Sequence, residues 1–392
     1  MSEVINSPER IDVEKDGNTS SLSNGFDYSS LKIAKMRKND WSELKEKKKQ
    51  YKQWKQEKLL KKLQRNAELE EIQRKKDSDS QKEKEKGRLD CTVSIAVPGT
   101  ILDICQSLEL KSYVAGQIAR AAAIYRVNEI IVFNEKNIES IEEGEEKLKL
   151  SKECRGSMMM MKILQYLECP QYLRKYFFPI HSDLHFAGLL NPLDLPHHLR
   201  VDEESTFREG VVINKPVKAG KGSYVYIGLK KTAKIDKELK PNTRVTVHLN
   251  PDNLSKKHFI GKAVSPMTPL RLENCYWGYT VRFAEGLNSV ISKCPFKGGY
   301  DVTIGTSEKG QSYKEVTFPS YRHLLIVFGG VKGLEACLEG DETITATEPK
   351  ELFNHYINIC PSQGSRTIRT EEAVFITMAA LTDKVSAFGK TF

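Results

Sequence analysis

The sequence predicts an α/β protein whose parallel sheet is interrupted by a small β-barrel. Three observations predict it: a strand–helix–strand pattern in residues 92–133, short β-rich runs in 205–292, and a return to the α/β pattern in 293–392. Two strands joined through a helix favour parallel pairing, because a crossover connection brings the second strand back in the same direction. The barrel is therefore predicted to be an insertion between two parts of one α/β domain.

Length and composition limit the possible classes of protein. The chain has 392 residues, enough for two or three domains, with 39% hydrophobic and 29% charged residues, as expected for a soluble intracellular protein. It contains no run of about 18 apolar residues and no signal-like start, so neither a membrane association nor secretion is expected. The eight cysteines form no Cys-X-X-Cys motif; we expect reduced thiols and no metal site.

The net charge of +9 is concentrated near the N-terminus. Residues 31–90 carry 21 Lys and Arg against 12 Asp and Glu, whereas residues 1–30 are polar and acidic and are predicted to be disordered. Apolar residues at helical spacings indicate one narrow stripe in 31–90: Trp41, Leu44, Tyr51, Trp54, Leu60, Leu63 and Ile72. This basic helical arm is either a solvated tether or a segment that lies on RNA or enters a larger assembly, and both can hold together. Its lysine clusters also suit a nuclear localisation signal.

The first part of the α/β domain is predicted to span residues 91–204. A strand at 92–97 is followed by an alanine-rich helix at 110–127 and a second strand at 129–133. A methionine-rich helix at 158–167, whose methionines are interpreted as core, precedes a proline-punctuated region.

Residues 205–292 have the pattern of the insertion. Five short β-rich runs are separated by turn residues, at 207–213, 223–228, 244–249, 259–264 and 276–283. About five strands in about 85 residues favour a small barrel, and we prefer an OB-like barrel. Gly220 and Gly222 do not form a dinucleotide fingerprint, because a strand follows them rather than a helix.

The second part of the α/β domain, residues 293–392, contains three loops that suit a ligand. The loop at 305–310 follows the strand 300–304, the loop at 329–333 follows the buried run 323–328, and the loop at 358–364 follows a run near 355–359. Glycine-bearing loops between strand ends and helices are where open α/β sheets hold nucleotide-like ligands.

A helix is predicted after the third loop, at 373–381. Thr370 is the expected N-cap, and Glu371 and Glu372 suit the positive end of the helix dipole.

Several of these stretches resemble a known family. They are Val-Phe-Gly-Gly-Val-Lys-Gly-Leu-Glu at 327–335, Asn-Ile-Cys-Pro-Ser-Gln-Gly-Ser-Arg-Thr-Ile-Arg-Thr-Glu-Glu-Ala at 358–373, and the segments 166–175, 186–193 and 300–307. The sequence is similar to the SPOUT class of S-adenosylmethionine-dependent RNA methyltransferases. Within that class it resembles the eukaryotic and archaeal family with an OB-like insertion. The resemblance covers roughly residues 91–385.

The resemblance implies a trefoil-knotted C-terminal half, in which the last helix threads through a loop. It implies that the three loops enclose S-adenosylmethionine, and that a homodimer builds its active site across the subunit interface. Backbone groups of tight glycine loops can bind the adenine and ribose, Asn358 offers a donor and an acceptor, and Lys309 could reach the cofactor carboxylate. The expected cofactor-binding residues are Thr306, Lys309, Gly329, Gly330, Gly333, Asn358, Ile359, Cys360 and Gly364.

Four residues are the candidates for substrate binding and catalysis: Arg120, Arg366, Arg369 and Glu372. Arg120 lies among alanines and needs an anionic partner, which is either a carboxylate such as Glu129 or a phosphate or base of the substrate, since the class commonly uses an arginine in this region. Arg366 and Arg369 suit phosphate as bidentate donors, unless they pair with Glu371 or Glu372.

The leading functional prediction is an S-adenosylmethionine-dependent methyltransferase acting on ribosomal or other structured nuclear RNA. It is expected in the nucleus, more narrowly the nucleolus, as a homodimer that meets pre-ribosomal proteins through its arm. The alternative is an RNA-binding scaffold in ribosome assembly with little or no catalysis, and a third possibility is a cofactor-free RNA chaperone. The intact glycine loops favour cofactor binding, because a degenerate site should lose them.

Overall fold

The computed structural model describes residues 91–135, 154–217, 222–254 and 258–389, together with Lys49. The predicted disordered segment 1–30 and, apart from Lys49, the predicted arm 31–90 lie outside the described residues. Within the described ranges, no helix has both the length and the apolar character needed to cross a membrane.

Strands and helices alternate along most of the described chain. The strands are β1 (Thr92–Pro98), β2 (Glu129–Phe133), β3 (Phe207–Val212), β4 (Tyr224–Tyr226), β5 (Ala233–Lys234), β6 (Arg244–Leu254), β7 (Phe259–Val264), β8 (Thr280–Ala284), β9 (Val302–Ser312), β10 (His323–Val327) and β11 (His355–Asn358). The helices are α1 (Leu108–Ile124), α2 (Arg155–Glu168), α3 (Gln171–Phe177), α4 (Thr268–Glu273), α5 (Leu287–Ser292), α6 (Gly333–Glu339), α7 (Pro349–Leu352) and α8 (Thr370–Phe388).

A six-stranded sheet forms the centre of the α/β part, with strand order β11-β9-β10-β1-β2-β8. All of its pairings are parallel. The central strands are continuous apolar runs because helices cover both of their faces. Ile95 and Val97 face a core shared with α1, α2 and α8, whereas Ala96 faces a second core shared with α5 and α6. The predicted α/β class with a parallel sheet is confirmed.

A separate closed barrel is made by β3 to β7, in the order β3-β4-β5-β7-β6. β3 pairs antiparallel with both β4 and β6, and β5 pairs parallel with β7. Its interior is filled by residues that include Val225, Ile227 and Val247. The predicted five-stranded barrel is confirmed, and its strands lie inside the range predicted for the insertion.

One predicted barrel strand is wrong. The run at 276–283 was expected in the barrel, but its strand, β8, is the edge strand of the parallel sheet and pairs with β2. An edge strand that is covered on one side alternates like a barrel strand, so periodicity could not separate the two. The fifth barrel strand is instead β5, which has two residues and is too short to give a sequence pattern.

Buried charges join the barrel to the α/β part. Arg244 of β6 forms a bidentate salt bridge with Glu168 of α2: Nη1 donates to Oε2 at 2.6 Å, and Nη2 donates to Oε1 at 2.9 Å. Arg244 Nε also donates to Glu209 Oε2 of β3 at 2.7 Å. Burial alone would raise the pKa of Glu168, but Arg244 and a hydrogen bond from His197 outweigh it and hold that pKa well below its usual value. The junction therefore places two buried carboxylates against one guanidinium.

Replacing that guanidinium should destabilise the fold. Arg244→Met leaves two buried carboxylates without their cation, so we expect the free energy of unfolding at pH 7 to fall by about 3–5 kcal/mol. Arg244→Lys keeps the positive charge but lacks the planar guanidinium, so its free energy of unfolding should fall by less than that of Arg244→Met. Urea denaturation followed by circular dichroism measures both, and an Arg244→Met variant as stable as the wild type would contradict this role.

The same pair gives a pH dependence with a defined sign. Because the folded pKa of Glu168 lies below the unfolded value of about 4.3, the stabilisation is present above that pH and is lost as pH falls toward the folded value. The stability difference between wild type and Arg244→Met should therefore narrow below about pH 4.

Candidate functional site

A cleft of about 270 Å³ lies between a loop within β9 and the ends of β10 and β11, beside the first turn of α8. Eight of the nine predicted cofactor-binding residues line it: Thr306, Lys309, Gly329, Gly330, Gly333, Asn358, Ile359 and Cys360. Gly364 is not among the lining residues. Arg366 lines the cleft as well, together with Glu308 and Glu335. Three loops that are distant in sequence therefore meet around one cavity.

The first loop is a bulge within β9. Gly305 pairs with Tyr356 of β11 and Gln311 pairs with the next residue, Ile357, so residues 306–310 have no partners in the ladder and turn toward the cleft. Thr306 is held there by its hydroxyl, which donates to the carbonyl of Val327 at 3.1 Å. The sequence predicted a strand end at residue 304 and a free loop; the strand instead resumes and runs to Ser312.

Asn358 ties the first loop to the third. Its Nδ2 donates to the carbonyl of Glu308 at 2.7 Å, and its Oδ1 accepts from the backbone N–H of Cys360 at 2.9 Å. The amide predicted to bind a ligand is therefore used to hold two walls of the cleft in place.

The second loop needs glycine for close packing. A Cβ built on Gly329 would lie 2.6 Å from the backbone carbon of Gly333 and from the nitrogen of Leu334, and Gly333 has a φ of +80°. A Cβ on Gly330 would collide with Oε1 of Glu135. That oxygen is buried and has no hydrogen-bond partner within the described part of the chain. The Thr370 hydroxyl of α8 donates to the carbonyl of Gly329 at 3.0 Å and joins this loop to the helix.

One ion pair sits at the cleft wall. Lys309 Nζ lies 2.9 Å from Glu335 Oε1, and the Tyr356 hydroxyl donates to the same oxygen at 3.2 Å. Partial burial opposes ionisation of Glu335, but hydrogen bonding from Lys309 and other donors outweighs it and holds the pKa of this carboxyl below its usual value. The hydrogen bond to Glu335 correspondingly raises the pKa of Lys309. Sequence reasoning did not select Glu335; its place two residues after the glycine loop was the available signal.

The predicted substrate residues do not all converge. Arg366 is exposed at the cleft, and within the described residues it forms no ion pair with Glu371 or Glu372. Arg369 is the residue before α8, and its backbone N–H donates to Glu372 Oε2 at 2.9 Å. Thr370 therefore starts the helix instead of capping it, which corrects the predicted N-cap by one residue.

Arg120 is bound to backbone, not to a carboxylate. Its Nη1 donates to the carbonyls of Pro192, at 3.2 Å, and Leu193, at 2.9 Å. Glu129, the carboxylate considered for it, pairs instead with Arg282 at 2.9 Å across the neighbouring strands β2 and β8. An Arg120–Glu129 pair is therefore ruled out. In the described ranges, Nε and Nη2 of Arg120 have no hydrogen-bond partner.

The described ranges contain neither a candidate metal site nor a disulfide. No group of three or more His, Cys, Asp or Glu side chains there is arranged to hold a metal ion. None of the eight cysteines, all of which are described, is in a disulfide.

Comparison with known proteins identifies close relatives. Residues 92–381 match the family described as "Putative RNA methyltransferase". The chain is 51% identical over 316 residues to the 28S rRNA (uridine-N(3))-methyltransferase of Homo sapiens, covering 80% of this chain and 84% of that protein. It is 52% identical over 299 residues to the Mus musculus protein of the same name (76% and 78% covered), and 48% identical over 333 residues to that of Drosophila melanogaster (81% and 68% covered).

The glycine loop provides a matched pair of variants. Gly329→Ala places a methyl group against backbone that must move, so we expect it to lower the free energy of unfolding by about 1–3 kcal/mol. Gly330→Ala collides with the end of the Glu135 side chain, which can rotate away, and otherwise meets Pro98 Cγ at an ordinary contact distance of 3.4 Å. The loss should therefore be smaller, and it should disappear when Glu135→Ala is added. Thermal melting of the three variants checks this, and equal losses in the two single variants would contradict the packing described for the loop.

Proposed function

The chain belongs to the RNA methyltransferase family matched by residues 92–381, and from this premise we propose that it transfers a methyl group from S-adenosylmethionine to N3 of a uridine in large-subunit ribosomal RNA. The substrate and the atom are those in the names of relatives that are about half identical to this chain over the aligned residues. The observation that carries the proposal is the meeting of three loops around one cleft, one loop within β9 and the other two after β10 and β11.

The residues of the cleft fit the methyl donor. Gly329, Gly330 and Gly333 present bare backbone, so the N–H and C=O groups of this loop can approach the adenine and ribose. Lys309 is exposed and can pass from Glu335 to the carboxylate of the donor, and Glu335 then has a free oxygen for a hydroxyl or ammonium group. S-adenosylmethionine supplies a methyl group that is already activated, so the protein chiefly aligns the two reactants.

Each candidate substrate residue has a proposed role. Arg366, exposed at the cleft and without a carboxylate partner in the described part, binds a phosphate of the RNA through its planar fork. Arg369 contributes a second cation at the start of α8. Glu372 is a positioning residue, because its carboxylate accepts the Arg369 N–H and so fixes this turn.

Methylation at N3 also requires removal of the N3 proton. Two carboxylates line the cleft, Glu308 and Glu335. Glu335 is engaged by Lys309 and Tyr356. The side chain of Glu308 is exposed and forms no ion pair in the described ranges, so we propose Glu308 as the general base that accepts the N3 proton.

The finer fold assignments are part of the same proposal. The barrel order β3-β4-β5-β7-β6, with its parallel β5–β7 pair, supports an OB-like barrel. The trefoil knot is supported by contacts of α8 with the segment before β10: the Tyr321 hydroxyl donates to the Val385 carbonyl at 2.9 Å, and the Tyr321 N–H donates to that of Phe388 at 3.1 Å. We also propose a nuclear, nucleolar location, and an arm at 31–90 that meets RNA or pre-ribosomal proteins.

A homodimer completes the proposed site. The resemblance to the SPOUT class implies an active site built across a subunit interface, with Arg120 of one chain reaching the loops of the other. Arg120 supports this because two of its nitrogen donors, Nε and Nη2, have no partner in the described residues. Its Nη1 bonds to two carbonyls fix the guanidinium in place.

Cofactor binding is tested by separating the two joined loops. Asn358→Ala removes two hydrogen bonds, so we expect affinity for S-adenosylmethionine to fall by about 5- to 150-fold. Gly364→Ala is the matched control, since Gly364 does not line the cleft and a Cβ there meets no atom within 4 Å. Isothermal titration calorimetry measures both. Unchanged affinity in Asn358→Ala would remove the three-loop cleft as the donor site.

The shared site is tested by mixing subunits. At a concentration of S-adenosylmethionine that saturates the wild type but not Asn358→Ala, the Arg120→Ala and Asn358→Ala homodimers should each show little activity toward RNA. If Arg120 serves the loops of the partner, a heterodimer keeps one intact site, and an equal mixture should recover about a quarter of wild-type activity.

If Arg120 serves the loops of its own chain, the mixture recovers nothing, which contradicts the proposal. Subunit exchange must be verified by mass spectrometry in the same preparation. Thermal melting of Arg120→Ala shows whether loss of the Pro192 and Leu193 contacts, rather than loss of substrate binding, explains inactivity.

A further inference from the structure

The outer surface of the barrel carries two tyrosines in a row. Tyr224 and Tyr226 flank Val225 on β4, and Val225 is buried in the barrel interior, so both tyrosines project outward. Lys234 of β5 lies directly opposite Tyr224 in the antiparallel ladder and therefore shares its face. This face presents aromatic rings and a cation side by side.

The row continues onto the α/β part through α3. Tyr176 of α3 is 38% exposed, and its ring centroid lies 5.5 Å from that of Tyr226. Lys175 places its Nζ 5.1 Å from the Tyr176 centroid and 5.6 Å from that of Tyr226. Lys215 places its Nζ 4.4 Å from the Tyr224 centroid. Rings and ammonium groups thus alternate across the junction of the two parts; Tyr176, Tyr224, Tyr226, Lys175, Lys215 and Lys234 form what we call the tyrosine–lysine patch.

The patch is held by buried structure. The Tyr226 ring also packs edge-on against Tyr172, whose hydroxyl donates to the backbone carbonyl of Glu209 at 2.8 Å. Glu209 belongs to the buried network around Arg244. A platform fixed in this way does not need to be ordered when a ligand binds, which favours affinity.

The charges of the patch indicate the class of ligand. Lys175, Lys215 and Lys234 form no ion pair with a carboxylate within the described part of the chain, so three cations remain available. An exposed cation over a ring adds little to folding stability, and packing alone does not explain the repeated arrangement. Aromatic faces that stack bases, with lysines that neutralise phosphates, are the two components of sequence-tolerant binding to single-stranded nucleic acid.

We propose that the tyrosine–lysine patch binds an unpaired stretch of the RNA substrate, stacking its bases on the tyrosines and holding its phosphates with the lysines. This rests on the proposed function, since it supplies a second contact for the same RNA outside the cleft. A protein partner is less favoured, because three cations that form no ion pair within the described part of the chain suit a polyanion better than a typical protein surface.

Binding to a fluorescein-labelled single-stranded oligouridylate, followed by fluorescence anisotropy on the full chain, tests the stacking. Tyr224→Ala and Tyr176→Ala should each weaken binding about 5- to 150-fold, whereas Tyr224→Phe and Tyr176→Phe, which keep the ring, should stay near the wild type. Tyr176 is the more exposed of the two, so its replacement should leave the melting temperature unchanged. Affinity for S-adenosylmethionine should be unchanged in all four variants.

The salt dependence tests the lysines. Lys215→Ala should reduce the slope of log affinity against log salt by about 1 relative to the wild type. Lys297→Ala, which removes an exposed lysine of the α/β part outside the patch, should not change that slope. An equal effect of the two lysine variants would mean that only overall charge matters, which overturns the proposal.

The outcomes separate this inference from the proposed function. If the wild type binds RNA and S-adenosylmethionine but the alanine variants at Tyr176 and Tyr224 bind RNA equally well, the patch is not an RNA site and the proposed function stands. If the wild type binds no RNA, both fail. Loss of binding in the phenylalanine variants would also overturn the proposal, because the ring would then not be the contact.

Discussion

The register between β9 and β11 determines whether the cleft exists. The two strands pair in parallel up to Gly305 and resume at Gln311, and the residues between them turn out of the ladder. This requires glycine at two places, because a Cβ on Gly305 would lie 2.5 Å from the Phe353 ring, and one on Gly310 would lie 2.5 Å from the backbone of Ile357. Without the bulge, Thr306 and Lys309 would stay in the ladder and the cleft would lose one wall. The loops of β10 and β11 then close around a wall that the strand register has already positioned.

The buried charges at the junction govern a different property, the orientation of the barrel. Glu168, Glu209 and Arg244 come from α2, β3 and β6, so the network is satisfied only when the barrel and the α/β part meet in one arrangement. Buried ion pairs contribute little net stability compared with apolar packing, but they penalise every arrangement that separates the partners. Tyr172 connects the same network to Tyr226. A fixed barrel would hold bound RNA at a constant distance from the cleft, which matters for a reaction that depends on alignment.

Sequence reasoning succeeded where the signal was local and failed where it was not. The sheet was identified from the apolar runs of β1, β2 and β10, and most of the cleft from the glycines after β10. Both signals are visible in the sequence because buried parallel strands are continuous apolar runs and tight loops require glycine. β8 was misplaced because its pattern suits two different sheets. The partners of Arg120 were missed because they are backbone carbonyls about 70 residues away, and no residue type marks such a contact. The Glu168–Arg244 pair was missed for the same reason, because 76 residues separate its two members in the sequence. The predictions of the cofactor and of the knot came from the resemblance and not from spacing.

The distribution of charge in the cleft is consistent with the proposed reaction. Lys309 and Glu335 neutralise each other at the wall, while Arg366 and Lys332 leave exposed cations beside the glycine loops. A cationic donor and a deprotonated uridine lose their opposite charges as the methyl group moves, so a strongly charged interior would favour the reactants over the transition state. The pairing of Lys309 with Glu335 reduces this cost. Under the proposed function, these exposed cations, which form no ion pair among the described residues, bind phosphates of the RNA and so strengthen binding without opposing the transfer itself.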